Sequence, residues 1–564
     1  MVGSQSEFPA GSPPNAASAP ERLAPRLAWA KSRLLSDRLT PLSLVLLGVV
    51  FAVVLATTLR SPLKDDVAWL LHVARDMLAG KRLYVDDVEI NPPLIIWLLM
   101  LPAEIARLTG LSAETLTTLL SAGLIMGCAY WSAALLRGYA ALFAAPAPVF
   151  AAIGVVLLTV PGVEFGQREH LLIACALPYL CLFAQRLNGR APSWPEAIAC
   201  GVVAALGCAL KPHYLIGFAA LEGVALARGL RPWRPETIAA ALVLAVYAAA
   251  VVLIYPVYFS FIIPLTLDLY GASDVSFASL LLQSHNLLLG EAIIVLLTGA
   301  RFGRKRGDPL LLTLAVFAAG AILAYLIQDK DWFYHRLPAT IVVVLALAYW
   351  TADVLLDRSA SGARKLAGLA IAACALGAFG GAAADRLEPR LELALGEQRA
   401  LENRIEDLIA ESHATRYMAF SQALSPGFPV VDETGVTWTS RFDSMWLLRG
   451  WQWRIDSGAR PAAWPVKHWI ISDFIRGCPE LVVVDDRDGM DYLGILLASP
   501  HFAAAWSHYR PLADFNGVRV FRLADGATIH AGSSGAELRQ GKHGRLAPLA
   551  AASPCRMAPA SAAG

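Results

Sequence analysis

In FGQREHLLIA, residues 165–174, Arg168, Glu169 and His170 stand between two uncharged runs at 150–160 and 171–182. Ionisable groups at the edge of a lipid-bound segment are costly and point to function. A guanidinium grips phosphate bidentately and stays charged, and a neighbouring carboxylate can accept a proton or orient a hydroxyl. The same residue types recur at three other breaks in apolar sequence. Asp65 and Asp66 follow the first apolar run, and Lys211 and His213 interrupt another in ALKPHYL. Lys330, His335 and Arg336 lie among aromatic residues in IQDKDWFYHRLP, 327–338. Carboxylates beside several cations suit a reaction in which a hydroxyl loses its proton and an anion departs. Each also has a bland reading. Asp65 and Asp66 can cap a helix, Arg168 and Glu169 can neutralise each other, and Lys211 can snorkel to the interface.

The elements that position these residues are membrane helices. Of 564 residues 56% are hydrophobic and 16% charged, with mean hydropathy +0.52, more apolar surface than a soluble chain can hide. Apolar runs fall near 41–60, 113–136, 141–161, 169–186, 195–210, 213–228, 235–256, 286–300, 309–328, 338–356 and 366–384, which predicts about eleven transmembrane helices. The run at 92–103 is too short to cross and reads as an interfacial or re-entrant helix. Basic residues then choose the sides. Arg137, Arg186 and Arg190, Arg228 to Arg234, Arg301 to Arg306, and Arg358 to Lys365 all fall in loops assigned inside. The loops at 61–112, 162–168, 211–213, 257–285 and 329–337, with everything after about 385, are then outside. The Pro/Ser/Ala-rich start and the basic stretch behind it read as a disordered cytoplasmic segment, 1–40, and the first span as an uncleaved signal anchor. Most cysteines lie in apolar runs as small buried hydrophobes. Cys478 and Cys555 lie in polar sequence, where a bridge between them is open.

DVAWLLHVARDMLAG from Asp66, followed by LYVDDVEINPPL, resembles the first outer loop of GT-C superfamily membrane glycosyltransferases. That superfamily includes the protein O-mannosyltransferase-like and aminoarabinose-transferase-like enzymes, which use polyprenyl-phosphate-linked sugars. Asp66, Ala74, Arg75, Asp76 and Met77 match its acidic helix start and Ala-Arg-acidic-Met segment, and Pro92, Pro93 and Leu94 its Pro-Pro-Leu helix. The resemblance implies a transmembrane catalytic domain, 41–384, and an outer C-terminal domain. It implies catalytic roles for Asp66 and for Glu169, where the family more often has Asp. It also implies donor-phosphate binding by cations such as Arg168, Lys211, Lys330 and Arg336, with Asp65, His170, His213 and His335 in support. No metal is required, and a divalent ion, if one took part, would fall to Asp66 and Glu169.

After 385 the charged helix RLELALGEQRALENRIEDLIAESH leads into β-branched runs with acidic turns, PGFPVVDETG and PELVVVDDRDG, and into FNGVRVFRL, which reads as a hairpin. The expected units are a small α/β domain in the periplasm, 385–525, and a disordered tail, 526–564. No P-loop, Rossmann fingerprint, HExxH, paired CxxC or nucleic-acid module appears, which argues against an ATP-driven pump. The expectation is therefore an inverting transferase of the cytoplasmic membrane. It would move a sugar from a polyprenyl-phosphate donor to a glycan, lipid or protein hydroxyl on the outer face. The rivals are a lipid-linked saccharide transporter or flippase, which usually shows internal repeats, and a non-catalytic envelope-polysaccharide assembly protein.

Overall fold

The computed structural model describes residues 19–139, 143, 145–273, 275–302, 308–356, 362–395, 399–460 and 462–525. Of the segment 1–40 expected to be disordered, 19–40 is helical, the start of the helix Ala19–Arg60. Residues 1–18 lie outside the described residues, as do the tail 526–564, the basic cluster Arg304 to Arg306, Arg358 and Cys555. Cys478 is disulfide-bonded.

Among the described residues six helices are long and apolar enough to cross a membrane: Thr40–Arg60, Ala113–Leu135, Arg168–Leu187, Pro235–Ile254, Pro309–Ile327 and Phe333–Leu355. Four other expected crossings, at 141–161, 195–210, 213–228 and 286–300, fold as shorter apolar helices of 10–17 residues. The count of eleven is thus not reproduced by helix length. The segment at 92–103 is part of a helix, Leu94–Thr109, with Pro102 inside it and Gly110 capping its end in the left-handed conformation.

The spans differ in what surrounds them. Thr40–Arg60 and Pro235–Ile254 are each 11% buried, leaving apolar flanks for lipid, whereas Arg168–Leu187 is 83% buried. This central helix packs against Ala113–Leu135, Trp194–Leu210, Pro309–Ile327 and Phe333–Leu356. Small residues permit the closest crossing, since a Cβ built on Gly320 would stand 2.4 Å from Gly217 Cα. A buried ion-pair set, Arg186–Glu236 at 2.8 Å and Arg234–Glu236 at 3.0 Å, ties the far end of the central helix to Pro235–Ile254.

The helix Asp65–Leu78 follows the first span at once. Gly80, at φ +95, takes the left-handed position after it and turns the chain back. The C-terminal part carries five strands: β1 Arg416–Phe420, β2 Thr437–Trp438, β3 Leu481–Asp485, β4 Tyr509–Phe515 and β5 Val518–Leu523. Their order is β2-β1-β3-β5-β4, with β1 parallel to β2 and β3, and β5 antiparallel to β3 and β4. The LVVVD run is the fully buried β3, and Asn516-Gly517 turns the expected hairpin between β4 and β5. PGFPVVDETG departs from expectation, because Val430–Thr434 is one turn of helix. Its apolar run is only two residues long, and Pro429 can precede a helix start as readily as a strand.

The helix Gly362–Leu395 runs unbroken through the expected boundary at 384/385. The sheet region is docked on the helical part. Trp69 meets Phe428 and Tyr270 meets Trp446, each edge to face with ring centres 5.2 Å apart. Arg454 pairs with Asp268 at 2.5 Å, and Val88 N–H donates to Arg441 C=O at 2.7 Å.

Candidate functional site

Four short breaks in the helical part converge where the sheet region docks. Asp66 sits in the first turn of Asp65–Leu78, and Gln167, Arg168 and Glu169 open the central helix. Lys211 ends Trp194–Leu210 in an extended conformation that stops the helix. The 327–338 break brings Lys330, Tyr334 and His335.

Gln167 Nε2 donates to Asp66 Oδ2 at 3.2 Å, and Arg168 Nη2 stands 3.9 Å from the same oxygen. Arg168 is 3% exposed, yet its Nε and Nη1 have no hydrogen-bond partner. Glu169, with no exposed surface, faces Lys211 Nζ at 3.1 Å and His335 Nε2 at 3.7 Å. Lys211 Nζ and His335 Nε2 are 3.4 Å apart, and the lysine also lies over the Tyr334 ring. Lys330 donates to Tyr270 C=O at 2.8 Å and rests over the Tyr270 ring. Two carboxylates, three cations and two tyrosines thus form one buried group. Burial pushes the Lys211 ammonium below its ordinary value, and the adjoining Glu169 carboxylate pulls it back up.

Other sequence candidates stand apart from that group. Asp65 is occupied locally: Lys64 Nζ lies 3.0 Å from Oδ1, which also accepts the Asp66 N–H. Arg336 pairs with Asp331 at 3.5 Å and lies over Phe333. His170 accepts the Gly166 N–H at Nδ1 and packs on Phe165. His213 is exposed beside Lys211.

Two carboxylates that the sequence did not single out complete the group. Glu89, 2% exposed, accepts from Trp69 Nε1 at 2.5 Å and from Asn91 N at 2.6 Å. Burial pushes it above the ordinary carboxylate range although Arg168 and these donors draw it down. Asp443 comes from the sheet region, next to the Val88–Phe442 bridge. Burial lifts it well above its usual value, and the charges of Glu89 and Asp66 add to that. Its neighbour Arg441 is fixed by Asp473 at 2.6 Å. Glu89 lies in a polar turn and Asp443 in a serine-flanked loop, where a carboxylate carries no signal against the apolar background. The matched Arg75 and Asp76 instead hold the scaffold. Arg75 binds both Glu114 and Asp432, and Asp76 binds His72 and Lys81.

The helical bundle, with two helices in its first long loop and a small mixed sheet docked over a charged pocket, has a GT-C-like fold. The chain is similar to the crystal structure of ArnT from Cupriavidus metallidurans bound to undecaprenyl phosphate. The TM-score is 0.50 and the identity 15%, over 86% of this chain and 98% of that one. The apo state of the same protein aligns at TM-score 0.48 and 14% identity, with the same coverage. No family model and no curated protein matches the chain.

Proposed function

We propose that this protein is an inverting GT-C-type glycosyltransferase that uses a polyprenyl-phosphate-linked sugar. The observation that carries the reading is Arg168, a buried guanidinium whose Nη2 stands 3.9 Å from the Asp66 carboxylate while its Nε and Nη1 have no hydrogen-bond partner. A cation held with free donors beside a carboxylate suits an anionic leaving group and a hydroxyl nucleophile on the same carbon. A protein of the same fold holds undecaprenyl phosphate.

In this reading Asp66 takes the proton from an acceptor hydroxyl as its oxygen attacks the anomeric carbon. The bond from that carbon to the phosphate oxygen breaks on the opposite side, and the polyprenyl phosphate leaves with the electron pair. Arg168, Lys211 and Lys330 receive its charge, and the N-terminus of the central helix adds its positive dipole end. Glu169 keeps Lys211 charged and oriented. The pocket faces the outer side of the cytoplasmic membrane, consistent with the basic loops assigned to the other side.

Lipid mass spectrometry on membranes of a deletion strain tests the function, and an accumulated polyprenyl-phosphate sugar is the expected result. Unchanged lipid-linked sugar pools would remove the reading. On purified protein, Arg168→Ala should weaken donor binding at least tenfold, as charge-assisted hydrogen bonds are worth about 1.5–3 kcal/mol. Arg336→Ala, which loses the Asp331 pair and the contact over Phe333, should change the same donor titration less than about twofold. Equal losses in the two variants would show that charge in general, and not the Arg168 position, binds the donor.

A further inference from the structure

A cleft of about 340 Å³ opens where three parts of the chain meet, outside the group of side chains described above. Residues 58–63 form one wall, the start of Ala113–Leu135 a second, and Asp432 and Glu433 of the sheet region a third. Its volume falls at the low end of small-molecule sites, about 300–1,000 Å³.

The lining is rich in hydrogen-bond acceptors, with the Arg60 guanidinium on the wall that bears no carboxylate. The Asp432 side chain is 3% exposed, and its Oδ1 accepts from Arg75 Nη1 at 2.7 Å. Its Oδ2 is buried without a partner. Burial pushes this carboxyl up to about 6 against the pull of Arg75, so it is an anion at neutral pH with one oxygen unsatisfied. Leaving such a group unpaired is costly, so a donor there is favoured. The hydroxyls nearby do not supply the missing donor. Thr58 donates to Val54 C=O at 2.7 Å, Ser61 to Thr57 C=O at 2.9 Å and Ser112 to Glu114 at 2.7 Å. The Thr58 and Ser61 oxygens can still accept from a ligand, whereas the Ser112 oxygen already accepts the Thr115 N–H at 3.1 Å. Glu433 is engaged by Arg399 at 3.0 Å. A ligand that satisfies Asp432 Oδ2 must bring a donor, and an anion would meet carboxylates on two walls against Arg60 on the third.

We propose that this cleft is a saccharide subsite, taking a ring with several hydroxyl or amino donors, one of them to Asp432 Oδ2. Resting on the glycosyltransferase reading, the ring belongs to the acceptor. Leu63 lines the cleft, and Lys64, Asp65 and Asp66 follow it directly in sequence. Arg75, from the helix that bears Asp66, is bound to Asp432 and Glu114 on the other two walls. A ring seated here therefore lies beside the segment that leads into the helix presenting the proton acceptor, with the sheet region forming the third wall.

The test is saturation-transfer NMR on full-length Asp66→Asn protein in detergent, without any lipid donor, with glucosamine and N-acetylglucosamine as probes. Transfer to both sugars assigns the contact to ring hydroxyls, and transfer to glucosamine alone assigns it to the ammonium; either supports the subsite. The signal should be lost in Asp432→Leu, where Arg75 keeps Glu114 as its partner, and in Thr115→Trp, which fills the cleft and leaves Asp432 untouched. A signal that survives in either variant, or that never appears in the starting protein, overturns the proposal. The measurement needs neither Asp66 nor a donor. A failed transferase reading would leave it standing, and its own failure would leave the transferase reading untouched.

Discussion

Asp66→Asn should lower sugar transfer by about a hundredfold or more. Asparagine keeps the shape and can still accept the Gln167 Nε2 hydrogen bond, which measures 3.2 Å to Asp66 Oδ2, but it cannot take a proton. Donor binding should hardly change, because the phosphate is held by cations. Asp65→Asn should leave transfer nearly intact. Its carboxylate is spent on Lys64 at 3.0 Å and on the Asp66 N–H at 2.8 Å. Losing such a local helix-start contact is worth about 1 kcal/mol of stability. Single-turnover transfer with purified protein, alongside a donor titration, separates the two carboxylates. A dead Asp65→Asn beside an active Asp66→Asn would mean that the register of the first loop is misassigned. Full activity in both would end the catalytic role of this loop.

Why Asp66 could be singled out from sequence and Asp443 could not is a matter of contrast. Arg168, Glu169, Lys211, Lys330 and His335 interrupt apolar runs, where a charge is expensive enough to demand a reason. The structure brings these five and Asp66 into one buried group. Glu89 and Asp443 enter the same pocket from polar loops, where a carboxylate costs nothing in the unfolded pattern. Their meeting depends on the bridge between Val88 and Phe442, far apart in sequence. Helix length shows the same limit. Thr40–Arg60 and Pro235–Ile254 face outward and need full crossing length, and they stand out at mean hydropathies of 2.6 and 2.7. Segments such as Trp194–Leu210 pack on one side against the central helix. Enclosure by neighbours loosens the length rule, so apolar runs alone overstate how many helices cross unaided. In the sheet region the four-residue apolar run of β3 was legible as a buried strand, and the two valines before Asp432 were too few to tell strand from helix.

Lys211 and Arg168 are both cations of the pocket, yet their removal should have opposite signatures. Arg168 holds Nε and Nη1 free of hydrogen bonds, so it can receive a phosphate without breaking an existing contact. Lys211 is already committed, at 3.1 Å, to a Glu169 carboxylate with no exposed surface. In Lys211→Met that carboxylate loses its nearest cation and faces His335, 3.7 Å away, with neither of its oxygens hydrogen-bonded. Breaking a buried pair from one side costs about 3–5 kcal/mol. Lys211→Met should therefore lower the thermal unfolding midpoint in detergent sharply. Adding Glu169→Gln removes the stranded charge, so the double variant should recover most of the loss. The coupling between the two substitutions, measured as a double-mutant cycle, then reports the pair itself. Transfer should stay low in the rescued double variant, because the fold regains its stability without regaining a cation for the departing phosphate. If Lys211→Met were as stable as the parent while donor affinity fell, Lys211 would be primarily a phosphate ligand and Glu169 would not depend on it.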